Sequence, residues 1–234
     1  MNPDLIFTLN RTEVCCIATR IGWLYGIRSD KDKRHGCGKC KISFVDIDFK
    51  NPDIAYHDEL IMRHVPKYAT ILDITEWDMF CNAMISAEWI LHHGIEPVVV
   101  PKIDCLYDIP RAYILGYSVP TRYGSTPLEP EVFRGRKIHL LGGTPKQAAS
   151  YYRRFLELGC VVTSIDSNSS NKAAVMGSIW HDRPKHEWQH VYEQGGHYLE
   201  CLTESLQNIY QFWQEVFEDP MRGQMSMPLL EGRA

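Results

Sequence analysis

Three short apolar runs in this chain end in aspartate, and together they supply Asp46, Asp48, Asp73 and Asp166. A carboxylate delivered at the end of a buried strand can attack a sugar anomeric carbon, because an oxocarbenium-like transition state is stabilised by a nearby anion. A second carboxylate can then carry protons to the departing group and from the arriving one. Asp166 has the densest polar setting, Ser164-Ile165-Asp166-Ser167-Asn168-Ser169, whose hydroxyls and amide can hydrogen-bond a carboxylate. It is the candidate nucleophile, and Asp46 or Asp48 fits the proton-carrying role. Each aspartate taken alone also suits a helix N-cap. Four of them at strand ends favour a shared site.

Other residues offer further chemistry. His139-Leu140-Leu141-Gly142-Gly143-Thr144-Pro145 places paired glycines before a helix start, where a ligand can approach backbone N–H groups. No GK[ST] follows, and the same residues make an ordinary strand-to-helix turn. Cys37-Gly-Lys-Cys40, with His35 nearby, is half of a tetrahedral zinc site. His186-Glu187-Trp188-Gln189-His190 reads HExxH, which on a helix binds zinc in metalloproteases; Asp182 and Pro184 are placed to start that helix. The bland alternative is an amphipathic helix with Trp188 and Val191 turned inward. A zinc hydrolase using His186, Glu187 and His190 is therefore an alternative function. From residue 20 to 41 the positive residues are Arg20, Arg28, Lys31, Lys33, Arg34, Lys39 and Lys41, opposed by Asp30 and Asp32, with Trp23 and Tyr25 interleaved. Such a cluster suits a nucleic-acid backbone, with aromatics to stack on an extruded base or pack on the barrel. A solvated loop accounts for the charges equally well. A non-catalytic nucleic-acid-binding barrel is the third reading.

The elements that must position these groups are legible in outline. The 234 residues are 44% apolar and 23% charged with net charge −4, which excludes a disordered, collagen-like or coiled-coil chain and confines any nucleic-acid surface to a local patch. No apolar run reaches the ~18 residues of a membrane span, and the first residues lack a basic-then-apolar signal pattern. The eight cysteines are scattered through apolar strings, which predicts a reduced, cytosolic protein. Apolar runs at 14–19, 41–46, 68–73, 95–101, 111–116, 137–142 and 160–166 read as strands buried on both faces. Helical patterns cover 53–64, 76–93 and 145–158, the last opened by Thr144 and Pro145 and closed by Gly159. This alternation predicts a parallel α/β fold, either doubly wound or a compact (β/α)8 TIM-like barrel. The missing GxGxxG and the strand-end aspartates favour the barrel. One domain over 1–218 is expected, with a loosely ordered tail over 219–234.

The strand–Leu141-Gly142-Gly143-Thr144-Pro145–helix–Leu158-Gly159-Cys160-Val161-Val162-Thr163-Ser164-Ile165-Asp166-Ser167 stretch resembles the tRNA-guanine transglycosylase superfamily. Residues Phe44 to Phe49, Tyr68 to Asp73 and Leu115 to Gly124 look closer to its short viral branch, the DNA 7-deazaguanine transglycosylases. The resemblance runs from about residue 14 to 180. It implies a barrel enzyme that exchanges guanine in DNA for a 7-deazaguanine base, such as 7-cyano-7-deazaguanine, through a covalent aspartyl-glycosyl intermediate. The implied partners are duplex or locally opened DNA and the free base, with no membrane, and in the host cytoplasm if the protein is viral. No cofactor is implied for the chemistry. By this resemblance Asp166 is the nucleophile and Asp46 the second carboxylate, with Asp48 its rival. Asp73 grips the base edge and Gly116 contacts the base through backbone. Three departures stand out. The family's C-terminal Cys-x-Cys-x-x-Cys…His zinc motif is missing, which bears on tRNA-type docking. Ile47-Asp48-Phe49 replaces its Ser-Gly-Gly run, and Lys102 stands where it has a base-reading Gln; both bear on base recognition.

Overall fold

The structure is a computed structural model that describes residues 2–30, 40–121, 124–183 and 187–220. Eight parallel strands close into a barrel in chain order: β1 (Asp4–Thr8), β2 (Leu24–Arg28), β3 (Ile42–Asp46), β4 (Tyr68–Thr70), β5 (Glu96–Val99), β6 (Ile114–Ser118), β7 (Lys137–Leu141) and β8 (Val161–Ser167). β8 returns to β1, with Ile6 opposite Asp166, so no strand edge is left open. The fold is the TIM-like barrel read from the sequence, in shortened form. Helices α1 (Thr12–Ile21), α2 (Ile54–His64), α3 (Phe80–His92) and α4 (Pro145–Glu157) lie between strands. The β5–β6 connection has no helix, and among the described residues β6–β7 has only a 3-10 turn at Pro130–Phe133. After β8 come α5 (Ser169–Val175), a hairpin of β9 (Ser178–Trp180) and β10 (Trp188–His190), and α6 (Tyr198–Glu218).

Two hydrophobic clusters follow from the alternation of side chains along each strand. Ile6, Phe44, Tyr68, Val98, Val100 and Ile114 fill the barrel interior. The opposite faces pack against the helices, where Phe133, Phe155, Trp180 and Trp213 are among the largest buried side chains. Local signals explain several boundaries. α4 opens on a full capping box: the Gln147 N–H donates to Thr144 Oγ1 while the Thr144 N–H donates to Gln147 Oε1. α6 buries a stripe of Cys201, Leu202, Leu206, Ile209, Trp213 and Val216 against α1, α4 and α5, and the Trp23 Nε1–H donates to its Leu206 carbonyl at 3.1 Å.

Some expectations need correction. Residues 14–19 are not a strand but the middle of α1, with Val14, Cys15 and Ala18 on its buried face. Spacing of i, i+1, i+4 is helical, and the β-branched and cysteine content masked it. The described HExxH residues, Glu187 to His190, do not form a helix. Trp188 to His190 pair antiparallel with β9, and Glu187 accepts from the Trp180 indole N–H at 3.0 Å. His186 lies outside the described residues. Trp23 and Tyr25 are buried core residues; Tyr25 ties its hydroxyl to the Leu9 and Arg11 carbonyls.

The interior depends on two glycines. A Cβ at Gly26 would stand 2.6 Å from Thr8 Oγ1 and 2.9 Å from Phe44 Cδ1; one at Gly116 would stand 2.8 Å from Val100 Cγ2. Overpacking of this kind costs about 1–3 kcal/mol. Gly26→Ala and Gly116→Ala are each expected to lower the melting temperature by several degrees. Scanning calorimetry checks this, and unchanged melting would mean that the interior is looser than described.

Candidate active site

The polar side chains of the barrel gather at one end. Thr8, Arg28, Asp46, Thr70 and Ser118 are each the last residue of their strand, and Asp166 is the last but one of β8. Parallel strands bring all six to the C-terminal mouth, the face on which barrel enzymes build their sites. The other end is closed by Asp4, which accepts from the Tyr68 hydroxyl at 2.7 Å and from Lys67 Nζ at 2.6 Å.

Two carboxylates dominate the mouth, and each takes a threonine hydroxyl from a neighbouring strand. Thr8 Oγ1 donates to Asp166 Oδ1 at 2.6 Å, and Thr70 Oγ1 donates to Asp46 Oδ1 at 2.9 Å. Thr70 is itself fixed: its hydroxyl accepts the Ile47 N–H at 2.7 Å, and its carbonyl binds His57 Nε2 at 2.8 Å. Burial lowers the His57 pKa to about 4, so this imidazole is neutral and its Nε2–H is the donor. Beneath Asp166 on β8, the buried Ser164 meets His139 Nδ1 at 2.7 Å, and His139 packs on Phe44. Burial brings the His139 pKa down to about 3, which leaves the floor uncharged.

That dry floor governs the carboxylates. Desolvation raises the pKa of Asp166 to about 7, opposed by the Thr8 hydrogen bond. Asp46 also rises to about 7, first by desolvation and next by the charge of Asp166; the Thr70 bond and Arg28 work in the other direction. Two nearby acids in low dielectric resist holding two negative charges, so their proton losses are coupled.

Around the pair stands a rim of charged groups. Arg28 lies opposite Asp46 in the β2–β3 register, pairs with Asp30 at 2.9 Å, and feels the charges of Asp48 and Asp46. Asp48 is buried in the following turn, where Ser29 Oγ accepts its N–H and its own Oδ1 accepts the Lys50 N–H. Asp46, not Asp48, is therefore the carboxylate joined to Thr70 and influenced by Asp166. Across the mouth Lys102 pairs with Asp73 at 3.6 Å and donates to Ser118 Oγ at 2.6 Å and the Ser125 carbonyl at 3.0 Å.

The remaining candidates are distributed as follows. Gly116 sits in the β6 wall, its α-carbon covered by Val98, Val100 and Leu141. Gly142 and Gly143 have φ of +72° and +84° in the β7–α4 turn; the Gly142 N–H donates to the Asp166 carbonyl and Gly143 accepts from Ser167 Oγ. That turn thereby clips the backbone of β8 beside its aspartate. Of the basic cluster, Arg20 lies in the last turn of α1 and Lys41 precedes β3 at the end of the barrel away from the mouth, whereas Arg28 is in the mouth. The structure does not bring those three together. Lys31, Lys33, Arg34 and Lys39 lie outside the described residues, as does Cys37, while Cys40 lies two residues before the start of β3. Among the described residues no group of three or more His, Cys, Asp or Glu side chains could hold a metal ion, and no helix is long and apolar enough to cross a membrane.

Sequence reasoning missed Thr8 and Thr70. Their signal was the one that marked Asp46: a polar residue closing a short apolar run, here Leu5-Ile6-Phe7-Thr8 and Tyr68-Ala69-Thr70.

A family model matches residues 18–214, that of DUF6610, a family of unknown function. The chain belongs to this family. Comparison of the DUF6610 chain with curated proteins found no match.

The raised carboxylate pKa values carry a stability consequence with a definite sign. An acid whose pKa is higher folded than unfolded favours the fold while protonated and loses that benefit as pH rises through its folded pKa. The window here runs from about 4 to about 7. Asp46→Asn and Asp166→Asn are expected to match the wild type in stability near pH 4 and to exceed it above pH 7, by on the order of 1–2 kcal/mol. Urea denaturation at a series of pH values measures this. Variants that are less stable than wild type at pH 8 would mean the pair is not strained by ionisation.

Proposed function

We propose that this protein is a DNA-guanine transglycosylase, a pentosyltransferase that exchanges guanine in DNA for a 7-deazaguanine base. The observation that carries the reading is the Asp46–Asp166 pair in the mouth of a closed barrel, Asp166 buried and Asp46 half-buried, with one threonine donor to each acid. The resemblance of residues 41–73 and 111–170 to the DNA 7-deazaguanine transglycosylases points to the same two aspartates.

In this reading Asp166, ionised, attacks C1′ of the target deoxyribose as the C1′–N9 bond to guanine breaks. Asp46, protonated, supplies the proton that guanine takes up at N9. The incoming 7-deazaguanine gives its N9 proton back to Asp46 and attacks C1′, and the ester bond to Asp166 breaks. Atoms and charge balance over the cycle, with no consumption of a nucleotide triphosphate. Thr8 holds the nucleophile in place and relinquishes little when the ester forms. The target nucleotide must leave the helix stack to reach the mouth, at a cost of a few kcal/mol. Asp73, with Lys102 beside it, offers acceptor oxygens for the N–H edge of the base.

Exchange requires one acid ionised and the other protonated, so its rate should trace a bell against pH with both limbs near 7. The test is incubation of the purified protein with DNA and candidate 7-deazaguanine bases, read by nucleoside mass spectrometry. Asp166→Asn is expected to abolish exchange with the fold intact. Asp46→Asn is expected to lose about 10²–10⁴-fold, because both half-reactions use its proton, and a covalent DNA adduct on Asp166, a slow band on a denaturing gel, is expected for the wild type and not for Asp166→Asn. Turnover by Asp166→Asn at a near wild-type rate would overturn the reading.

A further inference from the structure

Arg28 closes β2 directly opposite Asp46, which closes β3, and the two strands run parallel. Neighbouring strands lie about 4.8 Å apart, and side chains alternate between the two faces of a sheet. Ile27 and Val45 pack outward against the helices, so Arg28 and Asp46 share the inner face of the barrel. Arg28 is fixed twice. The Asn10 amide takes both of its backbone groups, donating to the carbonyl and accepting the N–H, each at 2.9 Å. Asp30 takes Nη2 at 2.9 Å. The acids facing this guanidinium are Asp30, Asp48 and Asp46. Asp46 in turn faces Arg28, Asp166 on β8 and Asp73 after β4, and takes the Thr70 hydroxyl. Among the described residues no cation stands in that relation to Asp166, whose side chain takes the Thr8 hydroxyl.

We propose that Arg28 is a positioning residue that acts through Asp46, stabilising there the negative charge that leaves Asp166 when the glycosyl ester forms. This rests on the transglycosylase reading. In that step the C1′–N9 bond breaks, an Asp166 oxygen bonds C1′ and becomes a neutral ester, and the Asp46 proton passes to N9. The mouth holds one negative charge before and after, but the charge has moved from Asp166 to Asp46. A cation fixed on the Asp46 side favours that destination over the origin. The second half-reaction returns a proton to Asp46 and the charge to Asp166, so too strong a cation would trap the ester. Asp30 and Asp48 offset part of the Arg28 charge, and its side chain is 36% exposed, so water screens more of it. Both directions stay passable. Arg28 needs to touch neither base nor sugar for this role.

The test compares Arg28→Gln and Arg28→Lys with the wild type, as full chains. With DNA and a 7-deazaguanine base, Arg28→Gln is expected to lower kcat about tenfold, with KM for DNA little changed. The DNA adduct on Asp166 should fall with it, and Arg28→Lys, which keeps the charge, should restore most of both. Without DNA, carboxylate carbon NMR of Arg28→Gln is expected to show Asp46 titrating at higher pH than in the wild type, with Asp166 not following it upward. Should Arg28→Gln fail to fold, the same Asp46 shift is read by adding it to Asp166→Asn, which relieves the mouth of one charge. A wild type that exchanges no base overturns the transglycosylase reading and this proposal with it. A wild type that exchanges, while Arg28→Gln keeps its kcat and its Asp46 titration, overturns the proposal alone. So does a loss confined to KM with a shallower salt dependence, which would make Arg28 a phosphate contact.

Discussion

The mouth of this barrel depends on the cost of placing two carboxylates in a dry, confined space. In water both would titrate near 4; burial raises both to about 7. The interior below them is filled by Ile6, Phe44, Val98 and a neutral His139, none of which can compensate a charge. What remains is one threonine hydroxyl for each acid and, for Asp46, the charge of Arg28; a hydroxyl bonded to a charged group contributes about 1.5–3 kcal/mol, less than two ionised acids in low dielectric demand. The pair therefore retains a proton in the neutral range. An acid and an anion in one mouth are what the proposed displacement at a sugar carbon requires.

The rest of the fold can be understood as support for that arrangement. Thr8 reaches Asp166 because β1 and β8 pair to close the barrel, and because Gly26 leaves its hydroxyl room to turn. Thr70 reaches Asp46 because His57 on α2 anchors its carbonyl and Ile47 its hydroxyl. The β7–α4 turn holds the backbone at Asp166 through Gly142. Each support comes from a different strand or helix, so the geometry of the pair depends on closure of the whole barrel and not on any one loop.

Much of this was legible in the residues. Continuous apolar runs ending in aspartate marked β3 and β8, and the Thr144-Pro145 cap and Gly159 stop bounded α4 closely. The first two strands were hidden, because Leu5 to Thr8 and Leu24 to Arg28 are short and the intervening Val14 to Thr19 looks more strand-like than either. The 21-residue α6 went unread although its apolar residues recur with helical spacing. The HExxH stretch misled because a spacing motif says nothing about whether the backbone is helical. The threonine partners of the aspartates could not be assigned from sequence, since pairing 158 residues apart follows only from barrel closure.

The most direct test of the account is the ionisation of the pair itself. Carboxylate carbon NMR on aspartate-labelled protein, with Asp46→Asn and Asp166→Asn for assignment, reads both acids across pH 3 to 9. The account predicts two coupled resonances that titrate near 7, with loss of either acid lowering the pKa of the other. Both aspartates titrating independently near 4 would contradict it.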